Sequence, residues 1–335
     1  MAVKVAINGF GRIGRLCFRA GYQKESFDIV AVNDLTDANT LAHLLKFDSV
    51  HGKFNGRIEV TEAGFSVDGK EYRVYAEKDP AKLPWKELGV EIVIEATGKF
   101  RKRADAEKHL SSGAEMVILT APGRDEIPAF VMGVNEQNYN PTTDRIISNA
   151  SCTTNCFAPI VKVLHEKFKI RRGFMTTIHA YTNDQRILDF PHKDLRRARA
   201  AMVSMIPTST GAAKAIIEVF PDLAGRLDAI AVRVPVADAS MIDFICELES
   251  EVDVESINRA MADAANGPLK GILEYCTDPI VSADIIGNPH SAVFDSLLTK
   301  VIKPNLCKVI AWYDNEWAYA VRVIDLLEYV LKRKG

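Results

Sequence analysis

Val3 to Ile7 is a short apolar run, followed at once by Asn8-Gly9-Phe10-Gly11-Arg12-Ile13-Gly14 and a helical run to about Tyr22. No other stretch restricts the fold so tightly. Gly9, Gly11 and Gly14 have G-x-G-x-x-G spacing between a strand and a helix. The first glycine permits a tight turn, the second lets backbone approach a pyrophosphate, and the third lets helix lie on strand. The helix N-terminus then offers unpaired N–H groups to phosphate. The next strand, Asp28 to Asn33, ends at Asp34, which lies 20 residues after Gly14. That separation suits a carboxylate on an adenosine ribose. The structural alternative is a glycine-rich turn with an incidental aspartate. A carboxylate accepts bonds from a ribose 2′-hydroxyl but repels a 2′-phosphate, and no arginine follows in Leu35-Thr36-Asp37-Ala38-Asn39-Thr40. The cofactor expected is NAD rather than NADP.

The rest of the first half alternates strands with helices. Thr40 to Phe47 reads as a helix, and Phe65 to Tyr75 as a hairpin turning at Asp68-Gly69. Glu91 to Ala96 and Glu115 to Thr120 read as strands around a helical run, Ala104 to Leu110. This order predicts an α/β domain with a Rossmann-type, doubly wound parallel sheet. Thr97-Gly98 and Thr120-Ala121 fall at carboxyl ends of strands, where such sheets bind ligands, although either pair also reads as an ordinary turn. In the second half, strands follow one another with fewer helices: Gly173 to Thr182, Ala229 to Val236, Met241 to Glu249 and Leu306 to Tyr313. That predicts an α+β domain with a mixed or antiparallel sheet. The division expected is a cofactor domain over 1–150, completed by a C-terminal helix over 316–335, and a second domain over 151–315. The apolar face of that helix (Trp317, Val321, Ile324, Leu327, Leu331) must pack on something, and the first domain is the expected place.

A net charge of −2 provides no field to recruit nucleic acid or an anionic membrane. Six scattered cysteines without a Cys-x-x-Cys pair suit a reducing compartment, and no apolar span has membrane length. The chain opens on a strand-like run without a signal peptide, so a cytoplasmic protein is expected. The histidines show no ligand spacing, so no metal site is expected.

The chemistry is expected at Ser148-Asn149-Ala150-Ser151-Cys152-Thr153-Thr154-Asn155-Cys156. Ser151 is a natural N-cap for an apolar helix, which places Cys152 in its first turn. The positive end of a helix stabilises a thiolate there and makes it a nucleophile. A small buried cysteine in a turn is the other reading. Pro159, past the first turn, should kink or break that helix. His179 lies on the strand that follows; it could pair with Cys152 and serve as acid and base, or be only a core residue. The Asn183–Ala201 segment gathers Lys193, Arg196, Arg197 and Arg199, either a solvated face or a phosphate grip. Thr210-Gly211 opens a helical run, Ala212 to Phe220, as an anion seat or a plain cap. Arg233 interrupts an apolar strand and needs an anion, a structural carboxylate or a substrate phosphate.

Taken together, several motifs resemble the phosphorylating glyceraldehyde-3-phosphate dehydrogenase family, in its bacterial branch. They are Ala6 to Arg15, Ser148 to Cys156, His179-Ala180-Tyr181-Thr182, Thr210-Gly211-Ala212-Ala213-Lys214, Arg233-Val234-Pro235 and Trp312-Tyr313-Asp314-Asn315-Glu316. The resemblance implies that Cys152 is the nucleophile and His179 its activating partner. It implies that Arg12, Ile13, Asp34, Lys78, Thr120 and Asn315 contact NAD, Asn315 at the nicotinamide amide. It further implies that Ser151, Thr153, Thr182, Arg197, Thr210, Gly211 and Arg233 build two anion seats, one for the phosphate of glyceraldehyde 3-phosphate and one for inorganic phosphate. The arginine-rich segment would be the family's S-shaped loop at the interface of a homotetramer. Erythrose 4-phosphate oxidation is the sister activity, with the thioester passing to water. The chain departs from the family at Ala318, Ala320 and Val321, beside Asn315.

Overall fold

The computed structural model describes residues 2–334. The chain divides into two compact units, one of residues 1–130, 136–150 and 320–335, the other of residues 131–135 and 151–319.

The first unit is built on an eight-stranded sheet. Its order is Ile146–Ser148, Met116–Leu119, Ile92–Glu95, Val3–Asn8, Phe27–Asn33, Lys70–Tyr75, Gly64–Val67 and Ile58–Val60. The first six run parallel; the last two return antiparallel through the hairpin at Asp68-Gly69. Both turn residues have positive φ, 51° and 87°, as a two-residue hairpin turn with the twist of its strands requires. The chain winds outward in both directions from Val3–Asn8, so the crevice for a ligand opens at the carboxyl end of that strand. Helix Arg12–Gly21 covers the sheet with Leu16, Cys17 and Phe18 buried. Phe18 meets Phe10, Phe65 and Tyr72 with ring centroids 4.7–5.8 Å apart, an aromatic core directly beneath the glycine turn. The later part of helix Trp317–Lys334 closes this unit: Ile324 lies against Gly21, and Glu328 accepts from Lys24 and Ser26.

The second unit carries a mixed sheet in the order Ile206–Ser209, Leu227–Val234, Ile170–Ala180, Ser240–Leu248, Leu306–Tyr313, Ala292–Asp295 and Leu273–Cys276. Leu227–Val234 is parallel to Ile170–Ala180, and this pairing sets His179 beside Arg233. Ser240–Leu248 and Leu306–Tyr313 follow antiparallel. Helix Cys152–Phe168 packs on this sheet through Phe157 against Phe244, 4.8 Å between centroids. Pro159 lies inside this helix without ending it, contrary to the break expected from the sequence. Proline removes one rung of the ladder, and burial of nearly every side chain from Thr153 to His165 holds the rest together.

Candidate active site

The glycine turn is shaped by contacts a side chain would destroy. Gly9 has φ +92°, and a Cβ there would stand 2.6 Å from the Thr97 N atom. A Cβ on Gly14 would stand 2.0 Å from the Gly9 carbonyl oxygen, whereas one on Gly11 would meet nothing within 4 Å. The turn is therefore closed on the protein side and open on the other, as backbone approach to a pyrophosphate demands. Asp34 is held over it: one carboxylate oxygen accepts from Phe10 N–H at 2.8 Å, the other from Thr36 N–H at 3.2 Å. A cavity of about 600 Å³ opens here, lined by Gly9, Gly11, Asp34, Lys78 and Thr97 among others. Arg12 and Ile13 begin the helix; the Arg12 guanidinium is paired with Asp48 at 3.1 Å. Thr97 donates to Glu95 from both its N–H and its hydroxyl, and Thr120 Oγ1 donates to the Glu95 carbonyl at 3.3 Å.

A buried polar chain behind the cavity was not legible in the sequence. Trp85 Nε1–H donates to His109 Nδ1 at 3.0 Å, which leaves the ring proton on Nε2, 3.0 Å from Glu95. Asn8 donates to the same carboxylate at 2.5 Å and accepts from Asn33 at 2.7 Å. Asn33 in turn accepts from Glu77 N–H at 2.8 Å. The carboxyl ends of three strands are thus tied together. The only trace in the sequence is two asparagines ending apolar strands.

In the second unit, Ser151 caps its helix as expected, its hydroxyl accepting from Thr154 N–H at 3.0 Å. Before it, Ala150 takes φ +55°, a left-handed turn that costs a non-glycine residue about 1–2 kcal/mol. Such strain at a functional turn had no sequence signal. Cys152 is the first helical residue, and its Sγ lies 3.5 Å from His179 Nε2. His179 Nδ1 has two neighbours at 2.7 Å, the Ala180 carbonyl and Arg233 Nη1. With Nδ1–H donating to the carbonyl, Nε2 presents a lone pair to the sulfur. With Arg233 donating to Nδ1, Nε2 presents a proton to it. Edge-on to the ring stands Tyr313, whose hydroxyl bridges Thr153 at 2.9 Å and Thr177 at 2.8 Å.

Burial opposes charge at both partners. It pushes the Cys152 thiol up, against the pull of Arg233 and the Thr153 N–H, and it takes His179 down to about 3, with Arg233 adding to the effect. A standing thiolate, expected from the helix terminus alone, therefore works against desolvation. In its favour is the pair's own attraction, about 4–5 kcal/mol at 3.5 Å with an effective dielectric constant near 20. One proton shared between Sγ and Nε2 is the variable that this geometry controls.

Arg233 is largely buried, no carboxylate pairs with it among the described residues, and its Nε has no partner. Of the two anions expected for it, the structural carboxylate is absent. Arg197 differs: its guanidinium is engaged by Asp184, by Thr208 at 2.8 Å and by the Ser209 carbonyl at 3.2 Å. Thr182 joins the same cluster through Gln185 and the Asp184 N–H. Thr210 accepts from Ala212 N–H at 3.2 Å and Gly211 caps helix Ala212–Val219. Asn315 accepts from Ser240 Oγ at 2.6 Å, and Ser240 Oγ accepts from Ala180 N–H at 3.0 Å. Ser240, missed in the sequence, ties the Asn315 amide oxygen to the residue after His179. Ala318 and Ala320 are buried in the last helix.

Comparison with known proteins agrees with this geometry. Residues 3–103 match the family profile "Glyceraldehyde 3-phosphate dehydrogenase, NAD binding domain", and residues 151–315 match the profile of its C-terminal domain. The chain is 57% identical over 333 residues to a glyceraldehyde-3-phosphate dehydrogenase of Geobacillus stearothermophilus, covering 99% of each chain. It is 56% identical to glyceraldehyde-3-phosphate dehydrogenase 1 of Bacillus subtilis, again over 99% of each. It is 58% identical to the Thermotoga maritima enzyme over 98% of this chain and 99% of the other.

Proposed function

From the premise that this chain belongs to the glyceraldehyde-3-phosphate dehydrogenase family, we propose how its own residues divide the work of that reaction. The protein is an NAD-dependent enzyme that oxidises glyceraldehyde 3-phosphate with inorganic phosphate as co-substrate. The single observation that carries the proposal is Cys152 Sγ at 3.5 Å from His179 Nε2, at the first turn of a capped helix.

Cys152 Sγ bonds to the aldehyde carbon as its proton crosses to His179 Nε2 and on to the carbonyl oxygen, giving a hemithioacetal and a neutral imidazole. The Cys152 N–H, unpaired by its place in the helix, faces the developing oxyanion. His179 then takes the hydroxyl proton, and the carbon reaches the acyl level as a thioester on Cys152. NAD, when bound, supplies the hydride acceptor for that oxidation. The cradle fits it: Gly9, Gly11, Arg12, Ile13 and Gly14 receive the pyrophosphate, Asp34 the ribose, and Lys78, Thr97 and Thr120 line the approach. Asn315, oriented by Ser240, offers its Nδ2 to the nicotinamide amide. Inorganic phosphate then attacks the thioester carbon and Sγ leaves. Arg233 holds one phosphate with Thr182 and Arg197, and Ser151, Thr153, Thr210 and Gly211 hold the other.

We also assign a homotetramer and a cytoplasmic setting. Ile187, Leu188, Phe190, Leu195 and Val203 are 65% or more exposed on a single segment, more apolar surface than a monomer leaves in water. The cysteines are free, and among the described residues no helix is long and apolar enough to cross a membrane. The deciding assay measures NADH formation from glyceraldehyde 3-phosphate and from erythrose 4-phosphate, with and without inorganic phosphate. Strict phosphate dependence with the triose is expected. Phosphate-independent turnover with the tetrose would overturn the reading.

A further inference from the structure

Cys246 and Cys307 stand outside everything that reaction uses. They are register partners on the antiparallel strands Ser240–Leu248 and Leu306–Tyr313, both buried, with sulfurs 3.3 Å apart and no disulfide between them. Directly opposed residues in an antiparallel pair have Cα atoms about 4.5–5.5 Å apart. A disulfide spans about 4.4–6.8 Å, so the backbone need not move to admit one. The protons are unequally held. A hydrogen bond from Cys246 lowers the Cys307 thiol, and the same bond, together with burial, pushes Cys246 well up. Solvent comes nearest to the pair on the Cys246 side. A cavity of about 590 Å³ is lined by Gly173, Cys246, Asn305 and Leu306. A Cβ on Gly173 would stand 2.8 Å from that of Cys246, so only glycine leaves this wall thin.

We propose that Cys246 and Cys307 are a reversible disulfide-forming site, oxidised by a small hydroperoxide. The Cys307 thiolate attacks one peroxide oxygen and the O–O bond breaks. Cys307 becomes a sulfenic acid, and the departing oxygen leaves as hydroxide. The Cys246 sulfur then attacks the sulfenic sulfur and the S–O bond breaks. The departing hydroxide takes the Cys246 proton and leaves as water. The dithiol loses two electrons and the peroxide gains two.

The test uses the full-length chain carrying Cys152→Ser, so that the catalytic sulfur does not consume oxidant. Hydrogen peroxide is added, free thiols are alkylated, and tryptic fragments are mapped without reduction. The expected result is a loss of two titratable thiols, a cross-link between fragments 234–259 and 301–308, and full recovery with dithiothreitol. Adding Cys246→Ser should abolish the cross-link and leave Cys307 as a sulfenic acid that dimedone captures. If the serine variant does not fold, the cross-link in the Cys152→Ser chain decides alone. Both cysteines remaining fully alkylatable, or Cys307 proceeding to sulfinic acid without a cross-link, would overturn the proposal.

Discussion

The two sheets of this chain serve function in opposite ways. The parallel sheet of the first unit offers backbone: a glycine at φ +92°, a helix terminus, and a carboxylate held by two N–H groups. The mixed sheet of the second unit offers side chains: Cys152, His179 and Arg233 come from a helix and two adjacent strands, and meet through register. A backbone cradle is built from neighbours in sequence, so its chemistry is written as a short motif. A side-chain constellation is assembled from distant segments, so its chemistry depends on how strands pair. Changes at Cys152 or His179 should therefore lower turnover and spare cofactor binding, while changes in the cradle should weaken cofactor binding and leave Cys152 reactive.

The largest expected effect is Cys152→Ser, which should lower kcat on the order of 10⁴–10⁶-fold while the Kd for NAD, read by fluorescence titration, stays within about twofold. A parallel loss of NAD affinity would dissolve the distinction between the units. Next comes His179→Asn, which should cost about 10²–10⁴-fold in kcat. It also removes the acceptor for the Cys152 proton, 3.5 Å from Sγ, so the midpoint for alkylation by iodoacetamide should move to higher pH. An unmoved midpoint would show that the imidazole does not hold the sulfur's charge.

Gly9→Ala addresses the cradle. Its Cβ would stand 2.6 Å from Thr97 N at a left-handed φ, so NAD affinity and thermal stability should fall together, by more than about 2 kcal/mol. Iodoacetamide should still modify Cys152 in the folded fraction. An effect on stability rather than on turnover or cofactor binding concerns Asp238, buried beside Asp314 and pushed up to about 9, first by burial and then by that neighbour. The native state binds a proton there that the unfolded chain releases near pH 4. Stability should fall as pH rises from about 4 through 9, by up to about 1.4 kcal/mol per pH unit. Asp238→Asn should flatten that slope in denaturant titrations at several pH values, and an unchanged slope would place the proton elsewhere.

How much was legible follows the same line. The close packing of Gly9 and Gly14, the open face at Gly11 and the place of Asp34 at the turn could be read, because each follows from local conformation and fixed spacing. The place of Cys152 at a helix terminus could be read, and the structure keeps that place while setting burial against its charge. Of the kink or break expected at Pro159, the break does not occur, because helix propensity is local, whereas the packing that retains this helix is not. Ser240 and Thr177 carried no motif, since a hydroxyl becomes a positioning group only when another strand brings it a partner.

By itself, the order of residues determined the alternation of strands and helices, the glycine turn, the acid at the end of the second strand and the capped cysteine. These are short-range matters of dihedral freedom, hydrogen-bond caps and hydrophobic period. Tertiary structure alone decided which histidine faces the sulfur, that Arg233 has no carboxylate partner while Arg197 has one, and how strongly water is excluded from both reacting groups. Those outcomes depend on strand register and on desolvation, and neither exists until distant segments have packed together.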